Sequence, residues 1–326
     1  MKEKIITKKI LKWYDLNKRP LPWRKKVSVE KKQYYTLVSE FMLQQTQVIT
    51  VIPFFNRFIK NLPSINSLAK VSEKKLIKLW EGLGYYSRAR NLKKSAQVIL
   101  KNFDGKLPEN FEDLITLPGI GNYTANAILA IGFNKPYIPL DGNIERVLKR
   151  YLYLKKDKEI QKDYLLQKKI VFGKTLRSSD YAQALMELGA LICKPNNPIC
   201  DQCPIIKNCK SYKKKDFSLI KNIKKNKDKY FVLKVYKKNK RYLLIKNTKF
   251  NFLKNLTIFP MEELSNPKNF NENLNFKMSN MNMNIKIEYS NDKKKFPYSY
   301  WVDGKKMNSY MLPSFTKKIV QYLEKN

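Results

Sequence analysis

Histidine is absent from this chain of 326 residues. No imidazole can therefore act as acid, base, nucleophile or ligand, and any catalysis runs on carboxylates, hydroxyls, amines or thiolates. Acidic residues are also scarce: 27 Asp and Glu face 66 Lys and Arg, a formal net charge of +39. A surplus of that size favours a polyanionic partner, either nucleic acid or an anionic membrane surface. The abundance of Lys, Asn and Ile is also what an A/T-rich genome would give with no selection for binding. No run approaches the ~18 apolar residues of a membrane-crossing helix. The opening MKEKIITKKILKWYDL is charged and lacks the apolar core and cleavage site of a secretory signal.

Cysteine is confined to four positions, Cys193, Cys200, Cys203 and Cys209. A disulfide framework would spread its cysteines, so this clustering argues for an inorganic centre. Soft thiolates select zinc or an iron–sulfur cluster. A zinc ribbon usually has two close pairs far apart in sequence, and only one close pair is present here. Lys194, Lys207 and Lys210 flank these positions and put positive charge on a loop that could meet phosphate.

Residues 1–211 read as helical. Apolar residues recur at helical spacing over Tyr35–Phe58, Lys74–Trp80 and Ala182–Ile192, separated by Pro, Gly and Asn punctuation. Residues 212–229 are Lys-dense and read as a basic linker, or equally as a solvated helix face. From residue 230 the pattern changes. Tyr230–Tyr236 and Tyr242–Ile245 are β-type runs around a polar KKNKR turn, which predicts a hairpin. Trp301-Val302 and Tyr310–Leu312 suggest further strands, and Ser314–Leu323 an amphipathic helix. Residues 262–296 are rich in Asn and Lys and carry no clear signal. The expected second domain, 230–326, is α+β.

Two motifs carry chemistry. In LPGIG, residues 117–121, glycines two apart permit a sharp turn whose backbone N–H groups can approach a phosphate, with a helix following. About twenty residues on comes LDGNIERV, residues 140–147. Its Asp141, taken alone, reads as a helix cap.

The whole of 1–211 resembles the helix-hairpin-helix (endonuclease III) glycosylase superfamily, and within it most closely the adenine DNA glycosylases, the MutY family. The resemblance rests on LPWR at 21–24, SEFMLQQTQV at 39–48, GLGYYSRARNL at 82–92 and LPGIGNYTANAI at 117–128. It continues through LDGNIERV, ELGALIC at 187–193 and the cysteine spacing. It implies a mainly α glycosylase domain with a [4Fe–4S] loop at 193–209, followed by a Nudix-like lesion-reading domain.

The resemblance assigns Glu40 as the acid that protonates adenine N7, and Asp141 as the carboxylate facing the developing oxocarbenium ion. This is the two-carboxylate logic of glycoside hydrolysis. Asn143 and Tyr123 match supporting residues. Bifunctional relatives carry Lys where Tyr123 stands. A tyrosine cannot form an imine with the sugar, so a monofunctional enzyme that leaves an abasic site is expected. Trp23, Arg24 and Glu187 match the adenine pocket. Gln45 and Tyr85 match intercalating wedges, Thr46 a residue facing oxidised guanine, and Gly119 and Gly121 the phosphate-binding hairpin. Without the motif, Trp23 and Tyr85 would read as core aromatics.

The best match to the family's Phe-Ser-His lesion contact is Met278-Ser279-Asn280, which keeps only Ser279. No Gly lies between Gly189 and Gly304, so a metal-binding pyrophosphatase box is excluded there. The implied partner is double-stranded DNA with adenine opposite 8-oxoguanine or guanine, met by a monomer in a bacterial cytoplasm at the nucleoid. A glycosylase for thymine or uracil opposite guanine and a non-catalytic iron–sulfur nucleic-acid binder are the competing readings. The second domain and Glu187 speak against the first; Glu40, Asp141 and Tyr123 together speak against the second.

Overall fold

The computed structural model describes residues 2–154, 175–218, 226–265, 267–278, 281–292, 296–310 and 312–325. They form two compact units: Met1–Val71 with Arg88–Asn222, and Ser72–Ser87 with Ile223–Asn326.

The first unit is helical. Its elements are α1 (Lys2–Asn17), α2 (Val29–Leu43), α3 (Val48–Asn61) and α4 (Ile65–Lys70). After α5 (Glu73–Trp80), which belongs to the second unit, come α6 (Tyr86–Asn102), α7 (Phe111–Thr116), α8 (Asn122–Ala127), α9 (Gly142–Leu152) and α10 (Ser178–Glu187). Helices α8 and α10 each run on into a π-helical turn, Ile128–Gly132 and Leu188–Ile192. The starts are capped as the sequence requires. Ser28, Asn110 and Asp141 each accept a hydrogen bond from the backbone N–H three residues on, filling a donor the helix leaves open. Helices α1, α9 and α10 bury one core containing Ile10, Tyr14, Ile144, Leu148, Leu185 and Leu188. The apolar run expected over Tyr35–Phe58 is two helices, because the chain turns at residues 44–47 between α2 and α3.

The second unit is α+β, with two four-stranded sheets among the described residues. One has the order β5-β1-β7-β6, from β1 (Lys227–Val235), β5 (Met261–Leu264), β6 (Leu274–Met278) and β7 (Met281–Tyr289). The other joins β2 (Lys237–Lys238), β3 (Arg241–Lys246) and β4 (Thr257–Ile258), with β8 (Ser299–Asp303) also paired to β3. The KKNKR turn does make a hairpin, but a short one: Lys237 pairs with Tyr242 and Lys238 with Arg241. The longer run before it meets β3 at its end, where Tyr236 O accepts from Leu243 N–H at 3.0 Å. Strand β1 itself lies parallel to β7 and antiparallel to β5, so the chain changes sheets near Tyr236. Both faces of that choice bury apolar residues, Phe231, Leu233 and Val235 from β1 and Tyr242 and Leu244 from β3. The helix expected at Ser314–Leu323 is present, α11, and Trp301-Val302 lies in β8. Tyr310 is not in a strand.

Candidate active site

Glu40 sits on the last turn of α2 and is buried. Among the described residues its Oε2 has no hydrogen-bond partner. Burial raises its pKa from the ordinary 4.5 to about 7; the Tyr123 hydrogen bond opposes the rise, the charge of Asp141 adds to it, and Arg24 opposes it. Tyr123, near the start of α8, is pushed well above its own ordinary value by burial and by the same two carboxylates. It therefore stays a phenol and donates to Glu40.

Asp141 caps α9. Its Oδ1 accepts from the backbone N–H of Ile144 at 2.7 Å, and its Oδ2 from Asn143 Nδ2 at 2.9 Å. Burial raises its pKa, against the pull of the Ile144 and Asn143 hydrogen bonds and of Arg146. The cap reading and the catalytic reading of Asp141 are thus the same fact: the cap holds the carboxylate at the helix start, where the dipole favours its charge. Sequence, order and burial bring Glu40, Tyr123, Asp141 and Asn143 into one electrostatic cluster.

Beside it lies a clasp of guanidinium groups. Glu187, at the end of α10, is 1% exposed. Arg19 holds it with two hydrogen bonds of 2.8 and 2.7 Å, and Arg24 adds a third at 3.0 Å. Burial pushes the Glu187 carboxyl up, but Arg19 and Arg24 outweigh it and leave the group below its ordinary value. Arg24 also donates to Gln183 at 2.8 Å. Trp23 packs edge-on against Phe55, with centroids 5.3 Å apart. Arg19 and Gln183 were not singled out from sequence; neither stands in a motif that marks it.

Gln45 and Tyr85 are both exposed, and both have left-handed backbone, φ 57° and 46°. An L-residue adopts that conformation at a cost of about 1–2 kcal/mol, so each turn holds its side chain outward against local strain. Arg88, buried on α6, steadies the Gln45 turn. Its Nη1 donates to Met42 O at 2.8 Å, to Phe41 O at 3.2 Å, to Thr46 Oγ1 at 3.0 Å and to Gln44 O. In the hairpin Gly119 has φ +82°, and a Cβ there would meet Asn91 and Phe41 at 2.9 Å. Gly121 is different: a Cβ would meet nothing within 4 Å. The protein does not itself need that glycine, and its backbone stays open to solvent. Ser279 lies outside the described residues.

The four cysteines form no disulfide with one another. Together with Arg150 and apolar residues they line one small cavity of about 30 Å³. Arg150 fixes the loop through Lys194 O at 2.6 Å and Pro195 O at 2.7 Å, and approaches Cys193 Sγ at 3.6 Å. Arg146, inside LDGNIERV but not singled out, links this loop to the carboxylates. It donates to Cys193 O at 2.6 Å, Gly189 O at 2.7 Å and Asn143 Oδ1 at 2.7 Å.

The chain is similar to known DNA-repair proteins. The sequence pattern of the HhH-GPD superfamily base excision DNA repair proteins matches residues 38–170. An adenine DNA glycosylase of Buchnera aphidicola subsp. Baizongia pistaciae is 42% identical over 260 residues, covering 77% of this chain and 72% of that protein. The adenine DNA glycosylase of Buchnera aphidicola subsp. Schizaphis graminum is 40% identical over 266 residues, covering 78% and 74%. This chain belongs to the adenine DNA glycosylase family. Among solved structures, a thermostable thymine-DNA glycosylase aligns with a TM-score of 0.58 and 26% identity, covering 65% of this chain and 97% of that one. The fold of that structure is therefore spanned almost whole, and the rest of this chain has no counterpart in it. Among the described residues no helix is long and apolar enough to cross a membrane.

Proposed function

We propose that the chain removes adenine mispaired with 8-oxoguanine or guanine in double-stranded DNA, by hydrolysis and without cutting the strand. One observation carries this reading: a buried carboxyl, Glu40, with an unpartnered oxygen and a pKa of about 7, stands in the electrostatic reach of a second carboxylate, Asp141. A buried acid beside a second carboxyl is the pairing that glycosidic cleavage needs. The adenine must leave the stack to reach it. Glu40 gives its proton to N7, the C1′–N9 bond breaks, and its electron pair stays with the departing base. Asp141 faces the positive charge that develops on the sugar. Water adds to C1′ and returns its proton to Glu40. Asn143 orients Asp141, and the Tyr123 phenol orients Glu40 and offers no amine for an imine.

The Arg24 guanidinium, set by Glu187 and Gln183 within reach of Glu40, supplies the polar wall against which the base is read, with Trp23 beside it. Gln45 and Tyr85 fill the gap in the stack, Thr46 lies toward the lesion strand, and Gly119 and Gly121 open the hairpin backbone to phosphate. Lesion reading belongs to the second, Nudix-like unit, Ser279 included. The bacterial nucleoid is the setting these substrates imply, and a monomer is sufficient for the site.

Cys193, Cys200, Cys203 and Cys209 suit a [4Fe–4S] cluster. A zinc ribbon usually has two close cysteine pairs, and only one, Cys200 and Cys203, is present here, so the spacing favours the cluster. When bound, the cluster supplies cross-linking of the 193–209 loop.

Likeness to a thymine-DNA glycosylase favours thymine excision as the second reading. Release of free base from duplexes carrying A:8-oxoG, A:G, T:G and U:G pairs, identified chromatographically, separates them. Adenine release with 8-oxoguanine preferred supports the proposal, and thymine or uracil release replaces it. Iron and sulfide analysis of the same protein tests the cluster, and stoichiometric zinc would overturn it.

A further inference from the structure

The turn that carries Tyr85 belongs to the same compact unit as the C-terminal sheets, although it lies within the helical part of the sequence. The turn is tightly built. Gly82 and Gly84 have φ of +100° and +75°, and Trp80 Nε1 donates to Gly84 O at 3.0 Å. Tyr85 is 39% exposed. Both shoulders of the turn rest on one seat. Glu81, the C-cap of α5, and Tyr86, the first residue of α6, line a small cavity with Ile77, Leu256, Leu312 and Pro313. Ile77, Tyr86, Leu256 and Leu312 are all buried.

Beside that seat Lys317, on α11, meets Glu81 at 2.5 Å, with both side chains under one-fifth exposed. Lys78 holds Glu81 from its own helix at 2.8 Å. Burial pushes the Glu81 carboxyl up, but Lys317 and Lys78 outweigh it and leave it below its ordinary value. The apolar seat is non-directional, since Leu and Pro can slide. The ion pair fixes position along it.

We propose that the Lys317–Glu81 ion pair makes the C-terminal unit a positioning element for Tyr85, so that the wedge turn moves as one body with the strands of that unit. This rests on the reading of Tyr85 as a wedge. Lys317 touches no substrate; it acts through Glu81 and the turn.

The test is a double-mutant cycle in the full-length protein with Lys317→Met, Glu81→Gln and the pair. The duplex carries adenine opposite 8-oxoguanine and the fluorescent base 2-aminopurine next to the 8-oxoguanine. Each single variant is expected to lose most of the fluorescence rise that reports unstacking, and to slow single-turnover excision about fivefold, within the range of couplings between contacting residues. The double variant should be no worse than either single, Lys317→Arg should keep the wild-type signal, and the unfolding midpoint should hold. Singles with wild-type fluorescence, or losses that add in the double, would overturn the proposal. Tyr85→Ala runs alongside. If it alters fluorescence while the pair variants do not, the ion-pair proposal fails and the wedge reading stands. If it leaves fluorescence unchanged, the wedge reading fails and the proposal with it. Should Glu81→Gln not fold, Lys317→Met against Lys317→Arg gives the same decision.

Discussion

The raised pKa of Glu40 makes a paired prediction, one for rate and one for stability. With a pKa of about 7 the carboxyl is about 90% protonated at pH 6 and about 10% at pH 8. Single-turnover excision should then fall about tenfold between those values, if proton donation to the base limits the step. A carboxyl at the ordinary 4.5 would be only about 0.3% protonated at pH 7. The sign for stability follows from proton binding. Between pH 4.5 and 7 the folded state keeps a proton that the unfolded state has released, so stability falls as pH rises across that window. At about 1.4 kcal/mol per pH unit, the loss is about 3 kcal/mol. Glu40→Gln abolishes this loss, because an amide does not titrate. It also removes the acid, with an expected rate drop of about 10²–10⁴-fold. Urea unfolding of both proteins from pH 5 to 8, beside quenched single-turnover assays, reads both quantities. The wild type should lose stability over that range relative to the variant. Parallel stability curves would refute the burial argument, and a rate flat to pH 9 would refute the role of Glu40 as acid.

Removing the Tyr123 hydroxyl takes away a hydrogen bond that lowers the Glu40 pKa, so Tyr123→Phe should move the inflection of the pH–rate profile upward. Gly189 is packed against the start of α9, and a Cβ there would lie 2.5 Å from Asn143 Cβ. Gly189→Ala should displace Asn143 and Asp141 and slow excision by up to about 100-fold, with DNA affinity by filter binding little changed. Glu187→Ala leaves the guanidinium groups of Arg19 and Arg24 without their carboxylate. It should destabilise the protein by about 3–5 kcal/mol, measured by urea unfolding.

Much of the geometry of the candidate site was legible because its residues sit in short motifs with fixed backbone requirements. Asp141 reads as a cap and is one; Gly119 must adopt positive φ, and does. The α11 helix announced itself through amphipathic spacing. The arginines that tie the site together did not. Arg19 reaches Glu187 across 168 residues of sequence, and Arg88 reaches Met42 across 46, so no local pattern marks either. Strand β7 was missed in an Asn- and Lys-rich stretch, yet Met281, Met283, Ile285 and Ile287 alternate with polar residues along it. Composition hid a period-two signal that burial of Met283 and Ile285 uses. The pairing of β1 with β7 and β5, in place of β3, depends on partners far along the chain, which a run-by-run reading does not weigh.

The most direct test is single-turnover reaction of the full-length protein with an end-labelled duplex holding one central adenine opposite 8-oxoguanine, analysed with and without hot alkali. The account predicts strand breakage only after alkali, because Glu40 and Asp141 release the base hydrolytically and Tyr123 cannot form an imine. Breakage without alkali would contradict the role of Tyr123. An intact strand under both conditions, with excision at a thymine or uracil mispair instead, would contradict the assignment of adenine.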